Sequence, residues 1–252
     1  MTSDLHVETS PHSPSDVSIY ASVRIFDPNK DVLLEMDRTS YLVKRAKGHR
    51  VLHVGCTDHP ITRYRIASKN LLHASLTEEA SSLVGIDNSL QGINILKENG
   101  FTNVRFMDAE EINLTERFDV IIAGDVLEHM SNPGKFLEKV GQLLNQNGTL
   151  VVGVPNAYSF NILKYLVNGY EPTHKDHTYY FSVKTLSELC SRYGLLPTKL
   201  IFTVQPEGED GRSLMVLLRK MLVKLKKQLA PSFIMEFMPR DSVTTTTFFE
   251  WK

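Results

Sequence analysis

The stretch Arg50-Val-Leu-His-Val-Gly-Cys-Thr-Asp-His59 decides the fold. It opens as an apolar run of strand type, stops at Gly55 and then turns polar. Two later segments have the same build: Ser82-Leu-Val-Gly-Ile-Asp87 and Phe118-Asp-Val-Ile-Ile-Ala-Gly-Asp125. Short apolar runs without strict alternation belong to parallel strands covered by helices on both faces. Ligands of such sheets gather where the strands end at their carboxyl side. One crevice is therefore expected, lined by the residues just after Val54, Ile86, Met107 and Ile122.

Outward from that stretch, strands are expected at 50–54, 83–87, 103–107, 118–122 and 149–153. Between them lie a long, broken helical region from Pro60 to about Ser81 and a helix from Ser89 to Glu98 stopped by Asn99-Gly100. A further helix opens at Asn132-Pro133, where proline suits the first turn. Strand and helix thus alternate five times, which argues a doubly wound sheet. Upstream, residues 28–47 have helical spacing at Val32, Leu33, Met36, Tyr41 and Leu42, with Gly48 to end the helix. Downstream, 155–181 reads as loop and short helix beside the crevice, Val183 to Tyr193 as a helix, and 197–205 as a strand. Ser213 to Leu229 is an amphipathic helix, and Ser242 to Trp251 is a β-rich finish. The last two strands are expected to pair as an antiparallel edge. The fold expected is α/β: a doubly wound, mostly parallel, seven-stranded Rossmann-like sheet with an antiparallel edge strand and a C-terminal amphipathic helix.

The totals agree with one ordinary α/β domain. The 252 residues are 42% hydrophobic and 23% charged, and the net charge of -1 gives no global pull toward nucleic acid. Cys56 and Cys190 make neither a disulfide framework nor a zinc spacing, and Cys56 reads as a small packing residue. The acidic, polar N-terminus does not read as a signal peptide, and no run of about 18 apolar residues spans a membrane. The cytoplasm is the default location.

The tips of the strands carry the chemistry. Gly55 lets backbone approach a ligand closely, and the helix after His59-Pro60 turns free N–H groups toward it. Asp87 suits the two hydroxyls of a ribose, and Asp108 can accept from an exocyclic amine. A lone acid at a strand end is usually a helix cap; three in succession, Asp87, Asp108 and Asp125, argue a nucleoside site. A pyrophosphate wants several bare backbone amides, whereas this turn has one glycine and Asp58. Asp58 suits a ligand with an ammonium group and no phosphates.

At this point the chain resembles the class I S-adenosylmethionine-dependent methyltransferases. Val51-Leu-His-Val-Gly-Cys56 resembles the family's first motif, Val84-Gly-Ile-Asp87 the second and Val104-Arg-Phe-Met-Asp108 the third. Phe118 to His129 resembles the fourth, and Leu144 to Asn156 the fifth strand with its approach. The resemblance covers roughly residues 30–205. It implies S-adenosylmethionine as cofactor, with Asp87 and Asn88 at the ribose and Asp108 with Ala109 at the adenine. His53, Gly55, Cys56 and Asp58 would form the methionine-side wall, with Asp58 toward the ammonium group, and Asp125 would line the floor. The family usually has an acid where His53 stands and a second glycine near Thr57. Residues 1–18 are expected to be a flexible segment and 19–252 a single methyltransferase domain, with acceptor-side caps around 155–181 and 206–240.

The expected reaction is O-methylation of a small-molecule or glycan acceptor, with His129 or His177 as general base and Asp125 beside them. A second resemblance, to the metal site of small-RNA 2′-O-methyltransferases, would instead place a divalent ion on Asp125, Glu128, His129 and His177. In metal-free relatives Glu128 would only cap or brace the following helix. A non-catalytic nucleoside-binding or scaffold protein is the third reading, prompted by the altered first motif. His73 reads as a helix-surface or core histidine. In the helix 213–229, leucines oppose Arg219, Lys220, Lys224, Lys226 and Lys227; it reads as docked on the sheet, with peripheral membrane contact as the alternative.

Overall fold

The computed structural model describes residues 33–35, 37–204, 221, 223 and 225–243. Its strands are β1 (Leu33–Glu35), β2 (Arg50–Val54), β3 (Ser82–Asp87), β4 (Val104–Phe106), β5 (Phe118–Gly124), β6 (Leu144–Pro155), β7 (Leu195–Thr203) and β8 (Ser232–Pro239). They form one sheet in the order β1-β7-β8-β6-β5-β2-β3-β4. The helices are α1 (Arg38–Ala46), α2 (Thr62–Ala67), α3 (Leu72–Glu79), α4 (Leu90–Glu98), α5 (Pro133–Leu143), α6 (Phe160–Val167) and α7 (Val183–Arg192).

The alternation of strand residues sorts the core into two layers. Leu52, Val54, Ile86, Ile121, Ala123, Leu150 and Val152 face Phe136, Leu137 and Val140 of α5 and Leu186 and Cys190 of α7. Val51, Leu83, Val120, Ile122 and Val151 face Tyr41 and Leu42 of α1 and Leu76 of α3. Both faces of the central strands are thus covered, which is why they read as unbroken apolar runs. β2 pairs in parallel with β3 on one side and β5 on the other. The chain moves outward from β2 to β3 and β4, then returns to the far side of β2 with β5. That reversal opens a crevice at the carboxyl ends of β2 and β5, where open sheets bind ligands.

The expected seven-stranded mixed sheet is present, and the short β1 adds an eighth strand, parallel to β7 at its edge. The antiparallel strand is β8, and it lies one place in from where an edge strand was expected, between β6 and β7. Its residues fall inside the stretch 206–240 expected as a cap. Phe233, Ile234, Met235 and Phe237 are fully buried in it, while Glu236 is held by Arg45 Nε at 2.7 Å and by the Tyr41 hydroxyl. Among the described residues β7 pairs with β8 and β1, and the β-rich finish expected at 242–251 lies, from 244 onward, outside the described residues.

The helix expected over 28–47 begins only at Arg38, because the Asp37 side chain accepts the Thr39 N–H and fixes the first turn there. Leu33 belongs to a strand instead. Most of the helix expected at 213–229 lies outside the described residues. Of those described, Val223 is buried in the core whereas Met221 and Leu225 are exposed, which reverses the expected stripe at these positions. Among the described residues no helix is long and apolar enough to cross a membrane.

Candidate active site

The crevice has two walls. The first is built where β2 gives way to its turn. Gly55 adopts φ +74°, a conformation costly for any residue with a Cβ, and a Cβ there would stand 2.6 Å from Val126 Cγ2. The Gly55 and Cys56 amides both donate to the Ile86 carbonyl, at 2.9 and 3.2 Å, which locks the turn to β3. The Thr57 amide and hydroxyl donate to Asp87 Oδ2 at 3.0 and 2.9 Å, and the Ser89 amide donates to Oδ1 at 2.8 Å. Thr57 stands where a second glycine was expected, and Gly92 makes room for it. A Cβ on Gly92 would lie 2.5 Å from the threonine hydroxyl. At the tip of β4, exposed Asp108 caps a short 3-10 turn by accepting the Glu110 amide at 2.8 Å, with half-buried Ala109 next to it. Asn88 is exposed at the mouth.

The second wall is the turn after β5. Asp125 holds φ +54°, with its amide on the Gly153 carbonyl at 2.8 Å and its carboxylate paired with Arg38 of α1. Arg38 crosses the ends of β5 and β6 over two glycines: a Cβ on Gly124 or Gly153 would come within 2.5 or 3.0 Å of the guanidinium, which would have to shift. Glu128 is 1% exposed, and neither carboxyl oxygen has a hydrogen-bond partner among the described residues. Burial, and then the Asp125 charge, push its pKa up to about 8. The Glu128 carbonyl is saturated, taking the Thr178 amide at 2.8 Å and the Thr178 hydroxyl at 3.0 Å.

Those bonds bring the segment 174–178 over the turn. His129 and His177 approach to 4.6 Å between ring centroids, and His174 joins them at 5.7 and 5.1 Å. His129 Nδ1 lies 3.2 Å from the Asp176 carbonyl, which assigns its proton to Nδ1 and leaves Nε2 as an acceptor. Burial and the two neighbouring imidazoles lower the His177 pKa, so that ring stays neutral near pH 7. His174 was legible only as the first member of His174-Lys-Asp-His177. The set Asp125, Glu128, His129 and His177 is not assembled for an ion. The imidazole nitrogens that converge within 4.8 Å are those of His129, His174 and His177, and no carboxylate joins them among the described residues.

Several residues expected at the site stand elsewhere. The His53 ring is buried on the opposite side of β2, where its Nδ1 meets His73 Nδ1 at 3.2 Å and the rings stack. His73 in turn reaches Asn103 Oδ1 at 3.3 Å, so this pair belongs to the core. The Cys56 side chain is fully buried beside Leu71 and Ile93, and burial pushes its thiol far above its ordinary pKa; it packs, and only its backbone lines the turn. Asp58 is engaged by Arg65 Nε at 3.4 Å.

Known proteins share this architecture. A family model described as a methyltransferase domain matches residues 30–200. The ubiquinone biosynthesis O-methyltransferase of Azorhizobium caulinodans is 30% identical over 116 residues, 44% of this chain and 42% of that protein. That of Bradyrhizobium diazoefficiens is 31% identical over 114 residues, 43% of this chain and 41% of that protein. The chain thus spans less than half the length of these curated relatives. Among solved structures, a SAM-dependent methyltransferase from Archaeoglobus fulgidus superposes with a TM-score of 0.53 at 18% identity, covering 79% of this chain and 93% of that one. A SAM-dependent methyltransferase from Thermotoga maritima, a possible histamine N-methyltransferase, gives 0.54 at 18% identity over 81% and 90%. These likenesses carry the fold, and the family model carries the kinship: the chain belongs to the class I S-adenosylmethionine-dependent methyltransferase family.

Proposed function

We propose that this chain methylates an oxygen of a small-molecule acceptor at the crevice between the Gly55 turn and the Asp125–His129 turn. The carrying observation is that the Gly55–Asp87 corner and the histidine cluster open at the same end of the sheet, joined through the contact of Gly55 with Val126. The chain's residues suit S-adenosylmethionine by their donors and by their gaps. Asp87 keeps acceptor capacity beyond its three bonds, since a carboxylate offers about four lone-pair sites. Asp108 and the Ala109 amide suit the adenine. The second wall leaves the buried Glu128 carboxyl unanswered, as a site completed by a ligand would. When bound, the cofactor supplies a methyl group already activated on a sulfonium.

The chain's own task is to orient the acceptor and take its proton. His129 Nε2 and the neutral His177 ring are the bases within this cluster, and Asp125, held by Arg38, favours the imidazolium that forms. The ubiquinone biosynthesis O-methyltransferases among the relatives support oxygen as the methylated atom and a small molecule as acceptor. Titration calorimetry with S-adenosylmethionine tests the reading, and the absence of binding would sink it. With a panel of dihydroxybenzenes and labelled cofactor, His129→Ala should keep cofactor affinity within about threefold and lower turnover by roughly 10²-fold or more. Loss of cofactor binding in that variant would show that the acceptor side has been misassigned.

A further inference from the structure

The second wall holds a buried carboxyl group that no hydrogen bond on the described chain answers. Glu128 follows Asp125 in one turn, and it feels the charges of Asp125 and Arg38. Arg38 is already paired with Asp125, so this corner sets two carboxyls against one guanidinium. The other titratable groups near the turn include His129 within it, Glu110 beside it, and His174, Lys175, Asp176 and His177 in the overlying segment; His177 responds to Asp125 and Asp176. Glu128 does not brace the following helix, because Asn132 caps α5 by accepting the Gly134 amide and Glu110 takes the Ser131 amide. A buried carboxylate without a cation or a hydrogen bond is strongly unfavourable, so the group waits as the neutral acid or meets a cation from outside.

The opposite wall lacks the complementary feature. Asp58, expected to meet the ligand's ammonium group, is engaged by Arg65. The Gly55 turn that carries it runs close to Val126, two residues before Glu128: a Cβ on Gly55 would stand 2.6 Å from Val126 Cγ2. We propose that the Glu128 carboxylate is the counter-charge for the ammonium group at the methionyl end of the methyl donor. The proposal rests on the reading that the crevice binds S-adenosylmethionine. Arrival of the ammonium then drives the Glu128 proton into solvent, and the corner becomes two carboxylates against two cations.

Calorimetry in buffers of differing ionisation enthalpy reads that proton directly. At pH 6.5 the ligand's amino group, with a pKa near 8, is already an ammonium, so it contributes almost nothing itself. Wild-type protein should release close to one proton per S-adenosylmethionine bound. Its affinity should tighten nearly tenfold from pH 6 to pH 7. S-adenosylhomocysteine, which keeps the ammonium and lacks the sulfonium, should release the same proton. 5′-Methylthioadenosine, which lacks the ammonium, should bind without release. Glu128→Gln, isosteric with the neutral acid, should bind the first two ligands without release and with a flat pH dependence. Equal release in Glu128→Gln, or release with methylthioadenosine, overturns the proposal. So does release with S-adenosylmethionine alone, which would assign the charge to the sulfonium. So does loss of the release in Asp58→Asn with its retention in Glu128→Gln. Failure of all three ligands to bind removes the cofactor reading itself.

Discussion

The two walls of the crevice are built from the same kinds of residue and are in opposite states. In the first, every acceptor of Asp87 that faces the turn is filled, by the Thr57 amide and hydroxyl and the Ser89 amide. In the second, Glu128 is buried with both carboxyl oxygens unpartnered among the described residues, while a left-handed aspartate is common to both walls, Asp58 in the first and Asp125 in the second. The first wall is a finished mould: it has its shape before any ligand arrives, which cuts the ordering cost of binding. The second is incomplete, and buried titratable groups without partners gather where chemistry is done.

Removing the keystone of the finished wall tests that contrast most severely. Asp87→Ala orphans three donors of the turn and removes the acceptor proposed for the ribose. Hydrogen bonds to a charged group contribute about 1.5–3 kcal/mol each, so affinity for S-adenosylmethionine should fall by roughly 10³-fold, or about 4 kcal/mol, in calorimetry. An affinity within tenfold of wild type would mean that the mould is not what binds, and the comparison would collapse.

The unfinished wall should reveal itself in stability. Glu128 stays protonated in the fold up to about pH 8, whereas in the unfolded chain it ionises near its ordinary value of 4.5. The unfolded state therefore sheds a proton that the folded state keeps, and stability is lost steadily as pH rises from about 4.5 to 8. Each pH unit well inside that window corresponds to about 1.4 kcal/mol and the slope fades near pH 8, so about 2–3 kcal/mol should vanish between pH 6 and pH 8. Glu128→Gln removes the titrating proton and keeps the shape. Its urea midpoint should hold level across that window and exceed wild type at pH 8. A wild-type midpoint that also stays level would show that Glu128 is already answered by a cation in the protein alone.

The contrast between the walls was only half legible in the sequence. Local periodicity and turn residues carried the parallel strands, because a doubly covered strand is apolar nearly throughout, as Val120 to Ala123 is and as Val51 to Val54 is apart from His53. The acidic tips were equally visible, since each stands at the end of its strand or within two residues of it. β8 was not, because Glu236 breaks an apolar run and only its distant partners Arg45 and Tyr41 make that acid tolerable inside a sheet. The pairing of Arg38 with Asp125 joins positions 87 apart, and no spacing rule points to it. The resemblance put Glu128 in its turn, but its lack of partners is a property of three-dimensional surroundings. His53 illustrates the converse error. Its place beside Gly55 suggested the ligand, while strand alternation sends its side chain to the face of Val51, toward α3.

That misplaced histidine gives the smallest of the expected effects and bounds the others from the acid side. His53 and His73 share one short contact in the core, and burial lowers both pKa values, that of His73 to about 4. In the unfolded chain each titrates near 6.5, so as pH falls below that value the unfolded state gains protons that the fold refuses, and stability drops. For His73 alone the loss between pH 6.5 and pH 5 should be roughly 2 kcal/mol. His73→Gln keeps a donor toward Asn103 and cannot titrate, so it should flatten this acid limb while leaving the alkaline loss caused by Glu128 in place. The two limbs come from separate places, the core beneath the first wall and the turn of the second, and should be separable by one substitution each. If His73→Gln flattened both, the finished and unfinished walls would be a single coupled unit, and the division between them would have to be abandoned.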